Sequence, residues 1–253
     1  MADRISFDSV LDMAQGLPGA IVDREVFLRE ALGKRCDSCQ VEDAIRGNPA
    51  RAGISRDVID ELAESCISSE RMRSTVLSAA AGIPGGLTMI PAMMADGVQT
   101  FAHAMRLAQM LAYLYGWSSL YEGKVLQEEG KMKLALFLGV MFGVSQANKA
   151  IVEIMKQVAE HCEKALIEQA LTKGALYPIV KQALKVLGVQ INKQLFSKTV
   201  AKAIPLLGAV LSGGMTYVTM GSMARSLKKE LRKHYKVFGT TIDAEIVDAE
   251  DGK

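Results

Sequence analysis

Asp96, Gln99, His103 and Arg106 recur at intervals of three and four residues within GIPGGLTMIPAMMADGVQTFAHAMRLAQMLAYLYGW, a stretch rich in apolar and small side chains, with Gln109 and Tyr113 extending the pattern only loosely. At about 100° per residue these positions fall within an arc of roughly 80°, so on a helix they form one polar stripe. A carboxylate beside an imidazole can orient a general base, and an arginine can hold an anion. Catalysis also needs a nucleophile or a metal presented to the same point, and no such motif accompanies the stripe. It therefore reads as a structural network or as the site of a ligand headgroup, with no catalytic residue assigned. Asp96, near the helix start, suits the positive end of the helix dipole. Half-buried polar groups of this kind are expected to pair with each other.

The elements that must hold the stripe follow from composition and periodicity. The chain has 253 residues, 49% of them hydrophobic and 23% charged, which is a globular balance with enough length for a sizeable core. Aromatics are only 6%, while Ala, Leu, Met, Lys and Glu fill long periodic stretches, so the expected fold is all-α. Leu17-Pro18-Gly19 ends a first short helix, Asp23 is placed to cap REVFLREALGKR, and Ser55 to cap RDVIDELAESCI. We expect a small N-terminal region of short helices over 1–55, a helical core over 56–238 and an acidic tail over 239–253.

Two segments, Ser74–Ala95 and Ala203–Ala224, each run 22 residues without a charge. Their length enters the membrane-spanning range, but clustered Pro and Gly (Pro84, Gly85, Gly86, Pro91; Pro205, Gly208, Gly213, Gly214) favour breaks and close backbone packing over a continuous span. Each has Ile-Pro, then glycines, then a helix that ends in a basic residue. The expectation is a glycine-rich multi-helix bundle with two pseudo-repeated Gly/Pro-containing helical hairpins, either packed on each other or inserted in a bilayer.

Charge is distributed unevenly. Residues 1–125 carry 12 basic and 16 acidic side chains, whereas 126–238 carry 17 basic and 7 acidic. No acid occurs between Glu168 and Glu230, and the segment ARSLKKELRKHYK follows, so this half requires an electrostatic partner, internal or external. Arg225, Lys228, Lys229, Arg232, Lys233 and Lys236 are the residues expected at an anionic membrane surface. The tail GTTIDAEIVDAEDGK could instead lie over them. No nucleic-acid-binding signature accompanies the lysines, and no GxxxxGK[ST] loop occurs, so neither nucleic acid nor a nucleotide cofactor is expected.

The start MADRISFDSVLDMAQ contains acids and lacks an apolar run, which points to a cytoplasmic protein with reduced thiols. Cys36 and Cys39 form a CxxC, but Cys66 and Cys162 stand alone, so no second close pair completes a zinc site. No metal is expected.

The stretch from Gly82 to Trp117, together with KAIPLLGAVLSGGMTYVTMGSMARSL, resembles the EcsC family of bacterial helical proteins over roughly residues 60–235. The likeness lies in the Gly-Pro-Gly-Gly-like element, the Asp followed by Gln and His, the Arg-Leu-Ala-Gln run ending in Tyr-Gly, and the later Ile-Pro-x-x-Gly-Ala. That family takes its name from a gene beside those of an ABC exporter. The resemblance implies a membrane-associated or lipid-handling protein more than an enzyme. The functional expectation is a non-enzymatic peripheral membrane or lipid-binding protein at the inner face of the cell membrane. The alternative is a soluble helical scaffold for a protein partner, such as an exporter component.

Overall fold

A computed structural model describes residues 7–81, 89–161, 177–188 and 207–240, with side chains described at 7–74, 97–156, 177–188 and 218–239. Short helices α1 (Phe7–Gln15), α2 (Arg24–Leu32) and α3 (Ser38–Arg46) precede two long ones, α4 (Arg56–Ala81) and α5 (Met89–Leu114). Then come α6 (Glu128–Met141), α7 (Ser145–His161), α8 (177–188), α9 (Leu207–His234) and a final turn, α10 (Val237–Thr240). The described residues are all-α, as composition leads one to expect, with only an isolated bridge between Glu122 and Val125.

Local chemistry sets the helix starts. Asp23 accepts from the Val26 amide at 2.9 Å, Asp37 from Gln40 at 2.9 Å, and Ser55 Oγ from Val58 at 3.4 Å. Cys36 and Cys39 flank the Asp37 cap, so the CxxC sits at a helix junction, and both thiols are free. Burial and the neighbouring Asp37 raise the Cys36 thiol above its ordinary value. Among the described residues no group of His, Cys, Asp or Glu is arranged to hold a metal ion.

α4 ends at Ala81 and α5 restarts at Met89, with Pro91 in the first turn, where a missing amide costs least. The second run behaves differently, because Gly213 and Gly214 lie inside the continuous helix α9. Close packing is what a third glycine there provides. A β-carbon on Gly221 would stand 2.5 Å from Arg71 Nε, so the Arg71 side chain of α4 lies directly against the α9 backbone at this point. The Gly/Pro elements at 82–88 and 203–206, and the tail at 241–253, lie outside the described residues. No helix among the described residues is long and apolar enough to cross a membrane.

α5 is the centre of the molecule, packing on α1, α2, α4, α6 and α9. Met105, Leu107, Leu111, Tyr113, Leu114 and Tyr115 are fully buried along it. Trp117 closes one end of the core, edge-on to Phe137 and Phe238 with centroids 4.9 and 5.7 Å away. One continuous cluster contains residues of the N-terminal helices, such as Leu11, Leu28 and Val41, together with those of the long helices.

Candidate functional site

The register of α4 against its neighbours is fixed by polar side chains. Tyr115, just past the end of α5, donates to Asp60 at 2.6 Å, while His103 and Arg106 of α5 reach Glu70 ten residues further along α4. On α9, Arg232 pairs with Asp60, Lys228 with Glu64 at 2.9 Å, and Gly221 faces Arg71. Rising numbers on α4 thus meet falling numbers on both partners, so α5 and α9 run antiparallel to α4. Consequently 74–81 of α4, 89–95 of α5 and the first half of α9 lead to the same end of the bundle. Both uncharged runs converge there.

A cavity of about 170 Å³ lies where the charged part of α4 gives way to that end. Gln99, Ala102, His103 and Arg106 of α5 line one side, Glu70 and Arg73 of α4 another, and Leu17 to Ala20 a third. Of the stripe read from spacing, Gln99, His103 and Arg106 line this one cavity from α5. Asp96 lies outside the described side chains.

Glu70 is the centre of the site. Its side chain is only 3% exposed, yet it accepts from Arg106 Nε and His103 Nδ1, both at 2.9 Å, with Arg73 Nη1 at 3.6 Å. Burial pushes the Glu70 carboxyl up, but the His103 hydrogen bond and the Arg106 guanidinium outweigh it and hold the group below its ordinary value. An ionised carboxylate can only accept, so His103 presents Nδ1–H to Glu70 and its Nε2 remains for another partner. Arg106 also donates from Nη1 to the Gly19 carbonyl, tying α5 to the wall between α1 and α2.

Gln109, one turn further on, is fully buried and acts differently. Its Nε2 donates to the Ala20 carbonyl at 2.8 Å, and its Oε1 accepts from Val22 N at 3.0 Å. This pins the wall segment 17–22 to α5, so Gln109 fastens the core while the residues before it line the cavity.

His103 and Arg106 were expected to pair within the stripe. They pair instead with Glu70, because two donors facing α4 need an anion that their own helix does not supply there. Glu70 and Arg73 are the site residues that reading by periodicity missed. Their signal was position: they fall among the last charged residues before the first uncharged run (Glu70, Arg71, Arg73), on the helix that precedes α5 in the chain.

The basic residues of α9 have partly internal partners. Arg225 lies 3.7 Å from Glu64, Lys228 also donates to the Asp60 carbonyl at 3.0 Å, and Lys233 pairs with Glu230 at 2.6 Å. With Arg232 on Asp60, four of the six expected membrane-contact residues face acids of α4 or α9. Lys229 and Lys236 are exposed. Among the described residues, the acids that answer the basic half thus come from within the chain. No family model, no curated protein and no solved structure matches this chain.

Proposed function

We propose that the protein is a non-enzymatic, peripheral lipid-binding protein of the cytosolic face of the cell membrane, in keeping with its EcsC-like sequence. The observation that carries this reading is the placement of a donor-rich cavity at the boundary of an uncharged bundle end. The uncharged last turns of α4 and the uncharged first turns of α5 and α9, which run antiparallel to α4, lead to that end, and exposed Met72 and Val218 stand beside its boundary on α4 and α9. Arg73, His103, Arg106 and Gln99 lie at the same level. A bilayer offers the matching order of chemistry, with polar headgroups above apolar chains. The lining supplies hydrogen-bond donors around one neutralised carboxylate, which is chemistry for recognition rather than for attack on a substrate.

Flotation with phosphatidylcholine and mixed anionic vesicles, at low and high salt, tests the reading. Binding that survives high salt is expected, because apolar contact is not screened while surface charge is. Val218→Glu, at a site 66% exposed, should weaken it without unfolding the protein. A chain that floats with neither vesicle type would sink the reading and leave the protein-partner scaffold in its place.

A further inference from the structure

The cavity has a chemistry narrower than a generic headgroup site, and we propose that it recognises a terminal phosphate monoester, with Arg73 as the residue that engages it. The inference rests on the lipid-binding reading for the source of that phosphate but not for its recognition.

Three observations lead to it. The first is charge. Glu70 faces Arg73 and Arg106, which leaves one formal positive charge with His103 neutral and two with it protonated. Arg106 and His103 already supply the carboxylate with hydrogen bonds, whereas Arg73 stands at 3.6 Å with its side chain 64% exposed. A guanidinium at that distance is beyond hydrogen-bonding reach of Glu70 and keeps its donors for a planar or tetrahedral oxyanion. A phosphate monoester has a second pKa near 6 and so carries about −1.5 to −2 at neutral pH, a better match to this excess than a diester's single charge.

The second is donor type. The Gln99 amide lines the same space. The third is size. A cavity of roughly 150 Å³ holds a benzene-sized molecule, whereas drug-sized ligands occupy about 300–1,000 Å³. At about 170 Å³, the space is of a size to take a terminal phosphate with its ester link leaving through the mouth.

The test compares vesicles of phosphatidylcholine doped with phosphatidic acid or with phosphatidylglycerol at matched surface charge. Glycerol 3-phosphate is titrated separately, in the absence of vesicles, and both arms use the full chain and Arg73→Ala. The expected result is preference for phosphatidic acid of about tenfold or more, removed by Arg73→Ala while binding to phosphatidylglycerol vesicles persists. Arg73 is exposed, so circular dichroism and thermal melting of the variant should match the wild type. Arg73-dependent binding of glycerol 3-phosphate without vesicle binding would uphold phosphate recognition and overturn the membrane reading. Equal binding to both vesicle types, with no response to glycerol 3-phosphate, would overturn phosphate recognition and leave the membrane reading standing. No binding in any arm would overturn both.

Discussion

Removing the Glu70 carboxylate should cost far more than an ordinary surface substitution, and the amount can be worked from its surroundings. Two donors, Arg106 Nε and His103 Nδ1, lie 2.9 Å from its oxygens, and the side chain is 3% exposed. Hydrogen bonds to charged groups contribute about 1.5–3 kcal/mol each, and breaking a fully buried ion pair by deleting one partner costs about 3–5 kcal/mol. Arg106 is not fully buried: its side chain is 27% exposed and it keeps the Gly19 carbonyl. Water can therefore recover part of the loss, and about 3 kcal/mol is the reasonable figure for Glu70→Ala. Glu70→Gln preserves shape and one acceptor, so about 1–2 kcal/mol is expected. For a chain of this size, 3 kcal/mol corresponds to a fall in Tm of roughly 6–12 °C, measurable by calorimetry or urea unfolding.

The pH dependence supplies the check on mechanism. The folded carboxyl is held below its ordinary value, so its stabilising contribution is complete above the unfolded pKa, about 4.3, and disappears as pH falls through the folded value. The stability gap between wild type and Glu70→Gln should therefore be widest at neutral pH and narrow steadily as pH falls below the unfolded value of about 4.3. A Glu70→Ala variant within about 0.5 kcal/mol of wild type, or a Glu70→Gln gap as wide at pH 3 as at pH 7, would refute the reasoning.

Two further substitutions test the framework that holds the site. Gly130→Ala puts a methyl group 2.0 Å from the Leu120 carbonyl oxygen, a backbone atom that cannot swing aside, so a loss of at least about 2 kcal/mol is expected despite alanine's better helix propensity; a neutral or stabilising result in urea unfolding would contradict it. Gln109→Leu leaves the Val22 amide and the Ala20 carbonyl without their buried partner, at about 2–4 kcal/mol, and hydrogen exchange at Val22 should accelerate; unchanged exchange would mean that the wall segment is held by other contacts.

What could be read from the sequence was what depends on neighbours along the chain. The caps at Asp23 and Ser55, the turn at Leu17–Gly19 and the break within 74–95 each follow from residue types a few positions apart. The shared face of Gln99, His103 and Arg106 follows from helical period alone. What could not be read was the partner of that face, because Glu70 lies 33 positions before His103 and reaches it only through the antiparallel pairing of α4 with α5. The different roles of Gln109 and Arg106 were hidden for the same reason. Both are polar residues on one helix, and only the position of the 17–22 segment makes one a fastening and the other part of the cavity lining.

The internal pairing of the basic helix changes how a membrane reading must be argued. The exposed Arg225–Glu64 contact contributes only about 0–1 kcal/mol, whereas Lys228 and Asp60, 14% and 17% exposed, anchor part-buried pairs. Their consequence is alignment, since they fix α9 against α4 at the end where Tyr115 also joins Asp60. Charges used this way are partly screened from an external anionic surface, and attraction through the basic run alone becomes a weak basis for membrane contact. The opposite end has no ion pair available within 74–95 or 203–224, because those runs contain no charge. On the proposed reading, the polar clamp keeps the three helices in register so that the uncharged end can meet apolar chains, with Arg73 at the boundary. Recognition would then depend on the headgroup in the cavity and on apolar contact beyond it, which is why salt resistance discriminates this reading from charge-driven adsorption.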